Sequence, residues 1–337
     1  MTITLCSPSF NPSDSYGRLA LELATHLSPL TAVNCLSLDG DDQPSQVFHP
    51  ALGGILLGYP TLHERFGEMV NAGPKLAITM FESTQLPEGW AEGLNRCDAV
   101  IVPAHFLVEI FRQAGVTVPL HVVPLGISEA FRDYTPRTSP SSNEPFVFLT
   151  IGDRGRRKGW VEAGTAFVRA FGDDPRYRLI IKAREFPFVI ENSNITVIQE
   201  DMTNDQLANL YRHCHVMVFP SRGEGHGFPP REFVATGGLS LVTNWGGLAE
   251  GLAHWGIPIP CTTEPAWCDD AKWYGKLGEW ALPDVEALAH MMKHVATHYD
   301  DYQDFRMSSA EYLHTHTWDV FAQRVFAIWR NVVEGGR

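Results

Sequence analysis

Residues 216–238 read VMVFPSRGEGHGFPPREFVATGG and leave the chain few choices of fold. The apolar run Val216–Phe219 has the length and composition of a buried strand. It breaks into a glycine-rich loop, 221–228, and resumes as a helix opened by Pro229 and Pro230. Proline suits a first helical turn because the N–H it lacks has no partner there. A glycine loop feeding a helix N-terminus offers N–H groups and a positive dipole end to an anion. Two carboxylates flank that site, Glu224 in the loop and Glu232 in the helix, with seven residues between them.

A chain of 337 residues is long for one hydrophobic core, so two domains of similar size are expected. No apolar run approaches the length of a membrane span, and the opening MTITLCSPSF lacks the basic and apolar regions of a signal peptide. The six cysteines, Cys6, Cys35, Cys97, Cys214, Cys261 and Cys268, are scattered without a C-x-x-C. That argues against a disulfide framework or a zinc knuckle and for a reducing, cytoplasmic setting. The 39 acidic and 26 basic residues give a net charge of −13, which disfavours nucleic acid and limits membrane contact to a peripheral one at an inner face.

Strand–loop–helix recurs from the N-terminus. ITLCSPSF, the loop NPSDSYGR and a periodic helix over 19–27 start a doubly wound unit. Gly17 at the turn either brings its N–H to a phosphate or sugar or serves the turn alone. TAVNCLSLDGDDQ is a strand running into Asp39, Asp41 and Asp42, a D-x-D pattern that suits a divalent cation and also suits a solvated acidic turn. LAITMFESTQLPEGW ends a strand and puts Glu82 in the loop beyond it, where doubly wound folds bind ligands. DAVIVPAHF is a further strand with His105 just past it, a residue read as structural. VPLHVVPLGI closes the first half. The Pro/Ser-rich stretch 134–145 reads as a linker.

The second half restarts with FVFLTIG, a basic loop, a helix over Trp160–Phe171 and the strand YRLIIKA. The loop GDRGRRKGW gathers Arg154, Arg156, Arg157 and Lys158 in an otherwise acidic chain, as a diphosphate site requires. Lys182, at the end of its strand, is a weaker candidate of the same kind. TNDQLANLYRHC is a helix with Thr203 or Asn204 as its cap. The HCH run at 213–215 does not read as a metal site, because successive strand residues face opposite ways and His213 and Cys214 do not converge. LSLVTNWGGLAEGL is a strand, a loop with Gly246 and Gly247, and a helix. Residues 257–280 carry no usable period. A helix follows Pro283 and Asp284, and the final amphipathic helix has a core-facing stripe of Phe321, Val325, Ile328, Trp329 and Val332.

EGHGFPPRE resembles the Glu-x(7)-Glu signature of glycosyltransferase family 4, whose usual form is PSR-x-EG-F-G-LP-x-x-E followed by A-x-G. The departures are His226 for the common aromatic residue and Phe228 for leucine. Lys158–Gly159 is similar to the end of that family's phosphate loop. The arginine that usually follows the loop's first glycine is replaced by Asp153, leaving Arg154 or Arg156 to substitute. FESTQLPEGW, VPLGI, LYRHCHVMVFPSR and the helix beginning at Trp318 extend the resemblance along nearly the whole chain.

The resemblance implies an α/β protein of GT-B architecture: two doubly wound Rossmann-like domains facing a cleft, with the last helix packed back on the first. The expected division is 1–132 with 316–337 for the acceptor domain, 133–143 for the linker and 144–315 for the donor domain. It implies a retaining transfer from a UDP- or GDP-type sugar to a hydroxyl of a glycan, lipid or small molecule, with neither metal nor cofactor. Glu232 would bind the ribose. Glu224 would meet the donor sugar beside Gly225, His226, Gly227 and Phe228. Lys158 and an arginine of its loop would bind the diphosphate, and Glu82 stands near the position of a common family histidine.

Three rivals are distinguishable. A metal-dependent GT-A transferase would use Asp39 and Asp41 and fail in excess chelator. A dinucleotide oxidoreductase would use Gly223, Gly225 and Gly227, but the third glycine comes one place early for G-x-G-x-x-G. The next strand also ends in Thr243–Asn244 without an acidic ribose ligand. A non-catalytic subunit of a glycan assembly would bind nucleotide-sugar without turning it over.

Overall fold

The computed structural model describes residues 2–12, 14–37, 53–69, 73–152, 156–186, 190–266 and 277–335. The chain forms two compact units, Met1–Gly126 with His316–Arg337, and Ile127–Thr315.

The first unit runs β1 (Thr2–Ser7), α1 (Ser15–Leu27), β2 (Ala32–Ser37), β3 (Gly54–Leu57), α2 (Pro60–Met69), β4 (Lys75–Ile78), α3 (Trp90–Leu94), β5 (Ala99–Val102), α4 (His105–Gln113) and β6 (Leu120–Val122). Its sheet has the order β2-β1-β3-β4-β5-β6 with every pair parallel. Strands GILL of β3 and AVIV of β5 are buried along their whole length, as parallel strands covered on both faces must be. In α1, Leu19, Ala20, Leu23 and Leu27 form the buried stripe.

The second unit runs β7 (Phe146–Ile151), α5 (Trp160–Phe171), β8 (Tyr177–Lys182), β9 (Ile195–Ile198), α6 (Asn204–Arg212), β10 (Val216–Phe219), α7 (Phe228–Ala235), β11 (Leu239–Thr243), β12 (Ile257–Ile259), β13 (Cys261–Pro265), β14 (Glu279–Pro283), α8 (Val285–Thr297) and α9 (Gln303–His314). The chain then returns to the first unit as α10 (Trp318–Gly335). The second sheet is parallel in the order β12-β11-β10-β7-β8-β9, and β13 and β14 form an antiparallel pair beside it. Alternation along β10 divides the core. Val216 and Val218 join the layer under α5 and α8, while Met217 and Phe219 join Phe233, Trp255 and Leu313 on the other face.

Helix α10 packs on α1 and buries Phe321, Ala322, Val325 and Trp329, and Asp319 lies 2.7 Å from His26 Nδ1. Gly126 permits the close approach, since a Cβ there would lie 2.5 Å from the Trp318 nitrogen. Among the described residues no helix is long and apolar enough to cross a membrane.

Several expectations need correction. The Pro/Ser stretch begins as part of the second unit. The Thr135 N–H donates to Thr236 O, and the buried Arg137 guanidinium donates to the carbonyl of Cys214 and the hydroxyl of Thr236. The segment after Gly246 is two short 3-10 turns, Gly246–Leu248 and Leu252–His254, and not an α-helix. Residues 257–280, which show no period, hold β12, β13 and the start of β14 among their described residues. Asp39, Asp41 and Asp42 lie outside the described residues.

Candidate functional site

In the second sheet the strand order reverses between β7 and β10. Open α/β sheets bind ligands beyond the carboxyl ends of the strands at such a reversal. Two loops leave from these two strands: the basic loop between β7 and α5, and the glycine loop between β10 and α7.

The loops touch, and two glycines allow it. Gly159 has φ +71°, and a Cβ there would lie 2.0 Å from Pro220 O. Gly152 lies against the Lys158 side chain, where a Cβ would be 2.5 Å from Lys158 Cβ. The Arg222 N–H donates to Arg157 O at 2.7 Å, and Ser221 Oγ lies 3.2 Å from the same oxygen. Residues 156–158 form one 3-10 turn.

This contact brings Lys158 and Glu224 together. Lys158 Nζ donates to Glu224 Oε1 at 2.7 Å, Ser221 Oγ donates to it at 2.8 Å, and Arg157 lies 3.3 Å away while also donating to Gly223 O. Glu224 is only 8% exposed. Burial alone would raise its pKa, but Lys158 and then Arg157 outweigh burial and hold the carboxyl below its ordinary value. The magnitudes agree: each cation within 4 Å contributes about 4 kcal/mol of attraction at an effective dielectric of about 20. Together these exceed the several kcal/mol that desolvating one carboxylate costs.

The glycine loop has its own brace. Arg231, buried in α7, donates to the carbonyls of His226 and Gly227, to Gly247 O at 3.0 Å and to Glu250 O at 3.2 Å, and lies 4.3 Å from the Trp255 ring centroid. Burial pulls its guanidinium down to about 10, which leaves it charged at neutral pH. The Gly247 N–H donates to Glu224 O at 3.0 Å, and a Cβ on Gly247 would lie 2.2 Å from Gly225 O. Gly227 starts α7 at φ +80°. His226 meets Phe228 edge-on at 5.2 Å, and Glu232 is fully buried in α7.

A second charge group ties the loops to their surroundings. Arg222, 1% exposed, donates to Glu162 at 2.6 Å, to Glu264 at 2.5 Å and to Arg156 O at 2.9 Å. Burial would lower its pKa, yet the two carboxylates raise it. Arg156 is half exposed and pairs with Glu264 at 2.8 Å. Among the described residues of this loop, the arginine beside Glu224 is Arg157, while Arg156, one of the two arginines expected at the diphosphate, pairs with Glu264. Arg154 lies outside the described residues.

Lys182 is buried as the last residue of β8, and its carbonyl accepts from the Gly152 N–H at 3.0 Å. Gly17 and Glu82 belong to the first unit. The Gly17 N–H is already used: it donates to the capping carboxylate of Asp14 at 2.6 Å. The reason for glycine is space, since a Cβ would lie 2.2 Å from Asn11 O. Ser221, Arg222, Arg231 and Gly247 were missed by sequence reasoning; the Gly246–Gly247 pair was the available signal for the last.

No protein-family model matches the chain, and no curated protein matches it in sequence. Solved structures do. The sucrose-phosphate synthase of Thermosynechococcus elongatus aligns with TM-score 0.74 at 14% identity, over 99% of this chain and 100% of that one. A UDP-forming alpha,alpha-trehalose-phosphate synthase of Burkholderia vietnamiensis aligns with TM-score 0.69 at 12% identity, over 98% and 96%. A glycosyltransferase of Rickettsia africae aligns with TM-score 0.68 at 14% identity, over 98% of both chains. What these likenesses establish is the fold: two parallel six-stranded α/β sheets with flanking helices, as in GT-B glycosyltransferases.

Proposed function

We propose that this chain is a metal-independent, retaining glycosyltransferase that moves a sugar from a nucleotide-diphosphate sugar to a hydroxyl acceptor. The observation that carries this reading is the meeting of Lys158, Arg157 and Glu224 at the strand-order reversal of the second sheet. Two fixed cations and the N-terminus of α7 suit a diphosphate, and an ionised carboxylate between them suits sugar hydroxyls. Glu232, eight positions on, is assigned to the ribose, and Gly225, His226, Gly227 and Phe228 to the donor. The UDP-forming neighbour makes a UDP-sugar the first donor to test, with GDP-sugars next.

In the transfer, the bond from the anomeric carbon to the phosphate oxygen breaks and its electron pair stays on that oxygen. Lys158 and Arg157 stabilise this charge as it develops. The acceptor oxygen bonds to the anomeric carbon on the face that the phosphate leaves, and its proton passes to the departing phosphate oxygen. Glu224 acts as a hydrogen-bond acceptor that orients the sugar, a role suited to its lowered pKa.

The test is nucleotide release from UDP- and GDP-sugars, with and without chelator. The expected result is chelator-insensitive release that Lys158→Ala and Glu224→Ala abolish without unfolding the protein. Wild-type turnover in either variant removes these roles. Binding without release identifies a nucleotide-sugar-binding subunit, and loss in chelator restores a metal-dependent reading through Asp39 and Asp41.

A further inference from the structure

The first sheet has a strand-order reversal of its own, between β1 and β3, and its chemistry differs. Beyond β3, Gly58 at φ +112° donates its N–H to Ile78 O at 3.3 Å and turns the chain into Tyr59. Among the described residues, Tyr59 is the only aromatic side chain in the set of exposed large hydrophobics, at 41%. Its ring is braced on two sides. Tyr16 meets it edge-on at 5.5 Å, and Trp90 packs against it at 5.3 Å, backed in turn by Phe81 at 5.2 Å. The Tyr16 hydroxyl accepts from the Met80 N–H at 3.2 Å, which fixes that brace to the loop carrying Glu82. Glu82, half-buried, follows Met80 by two residues in that loop; burial first, then the charges of Tyr59 and Glu82, raise the Tyr16 phenol.

A single exposed tyrosine is ordinary on a protein surface. A tyrosine braced by two rings at a strand-order reversal, with a carboxylate in the adjoining loop, is a stacking platform. The charge pattern selects among ligands. Helix α1 begins here, but its Gly17 N–H already donates to Asp14, as does the Ser9 hydroxyl. The second unit's reversal offers Lys158 and Arg157 to an anion; among the described residues, this one sets the Glu82 carboxylate in the loop beside the rings, and α1 carries Arg18 in its first turn.

We propose that Tyr59 and Glu82 form a carbohydrate subsite for a neutral, unphosphorylated sugar. The sugar's apolar C–H face stacks on the Tyr59 ring, whose negative face attracts it, and a sugar hydroxyl donates to Glu82. That this sugar is the acceptor rests on the transferase reading above; that it binds here does not.

Saturation-transfer NMR on the full chain tests the subsite without turnover, using methyl glycosides of glucose, galactose, mannose and N-acetylglucosamine, and glucose 6-phosphate as the charged probe. The expected result is transfer from aromatic protons to the C–H protons of one face of at least one neutral glycoside, lost in Tyr59→Ala and kept in Tyr59→Phe. Donor stabilisation, read by thermal shift with UDP- and GDP-sugars, stays unchanged in both variants. Three outcomes overturn the proposal: no transfer to any neutral glycoside, equal transfer in Tyr59→Ala, or transfer to glucose 6-phosphate alone. If Tyr59→Ala does not fold, Glu82→Gln replaces it, with a severalfold loss of signal expected and an unchanged signal counting against the subsite. Failure of the donor to bind or turn over, with the glycoside signal intact, removes the transferase reading and leaves the subsite standing.

Discussion

Lys158 and Glu224 stand 66 positions apart in the chain and meet at 2.7 Å, at the ends of two strands that are neighbours in the sheet. Neither residue's environment is local. The pair exists because β7 and β10 lie side by side and because Gly159 lets the two loops touch.

Arg157, and not Arg156, is expected to serve the donor diphosphate. A charge-assisted hydrogen bond contributes about 1.5–3 kcal/mol. UDP titrated by calorimetry should therefore bind about tenfold or more weakly to Arg157→Ala. Arg156→Ala, which loses a half-exposed pair with Glu264, should change binding by less than about threefold.

Acidification should erase the difference between wild type and Glu224→Gln. Folding holds the Glu224 carboxyl below its ordinary 4.5, so the unfolded chain binds that proton more readily. The stabilisation is full above 4.5 and is lost as pH falls through the lower folded value. At neutral pH the variant should melt lower, and the gap in Tm should close below pH 4.5. Parallel Tm curves across that window would show that the ion pair is not the source.

Gly247→Ala and Gly164→Ala separate crowding from glycine's general cost. A Cβ at Gly247 would meet Gly225 O at 2.2 Å and Glu224 O at 2.7 Å, both backbone atoms that cannot swing aside. Overpacking of this kind costs about 1–3 kcal/mol, and it shifts the carboxylate that faces the donor. A Cβ at Gly164, inside α5, meets nothing within 4 Å. That variant should be as stable as wild type or up to about 1 kcal/mol more so by urea unfolding, with donor binding intact.

Arg222→Met should cost about 3–5 kcal/mol in urea unfolding, because it strands Glu162 beside an apolar side chain and leaves Glu264 only its pair with the half-exposed Arg156. Recovery in the triple variant with Glu162→Gln and Glu264→Gln would identify stranded charge, and not lost packing volume, as the cause.

Much of the architecture was legible because it is written in local signals. Thr203 and Gln206 form a reciprocal capping box at α6, and Asp284 caps α8. The helix over Trp160–Phe171 follows its apolar period, and the strand Val216–Phe219 its unbroken apolar run. Residues 257–280 were not legible, because IPI, CTTEP and EWALP mix prolines and polar residues and carry neither an apolar run nor an alternation. The choice among basic residues was closed for a geometric reason. Residues 156–158 share one 3-10 turn, and it is the contact between the two folded loops that leaves Arg156 with Glu264 and brings Arg157 and Lys158 to Glu224. Arg231 reads as one more charge in a helix, and its burial against four carbonyls is visible only once the loops are folded.

The return of α10 to the first unit bears on how the molecule is made. Synthesis proceeds from the N-terminus, yet α1 acquires its covering helix only after the whole of Ile127–Thr315 has left the ribosome. The second unit is contiguous and can close on itself first. Until then α1 has no α10 beside it, and any event that stops translation before Trp318 leaves the face that α10 covers open to chaperones or to another copy of itself.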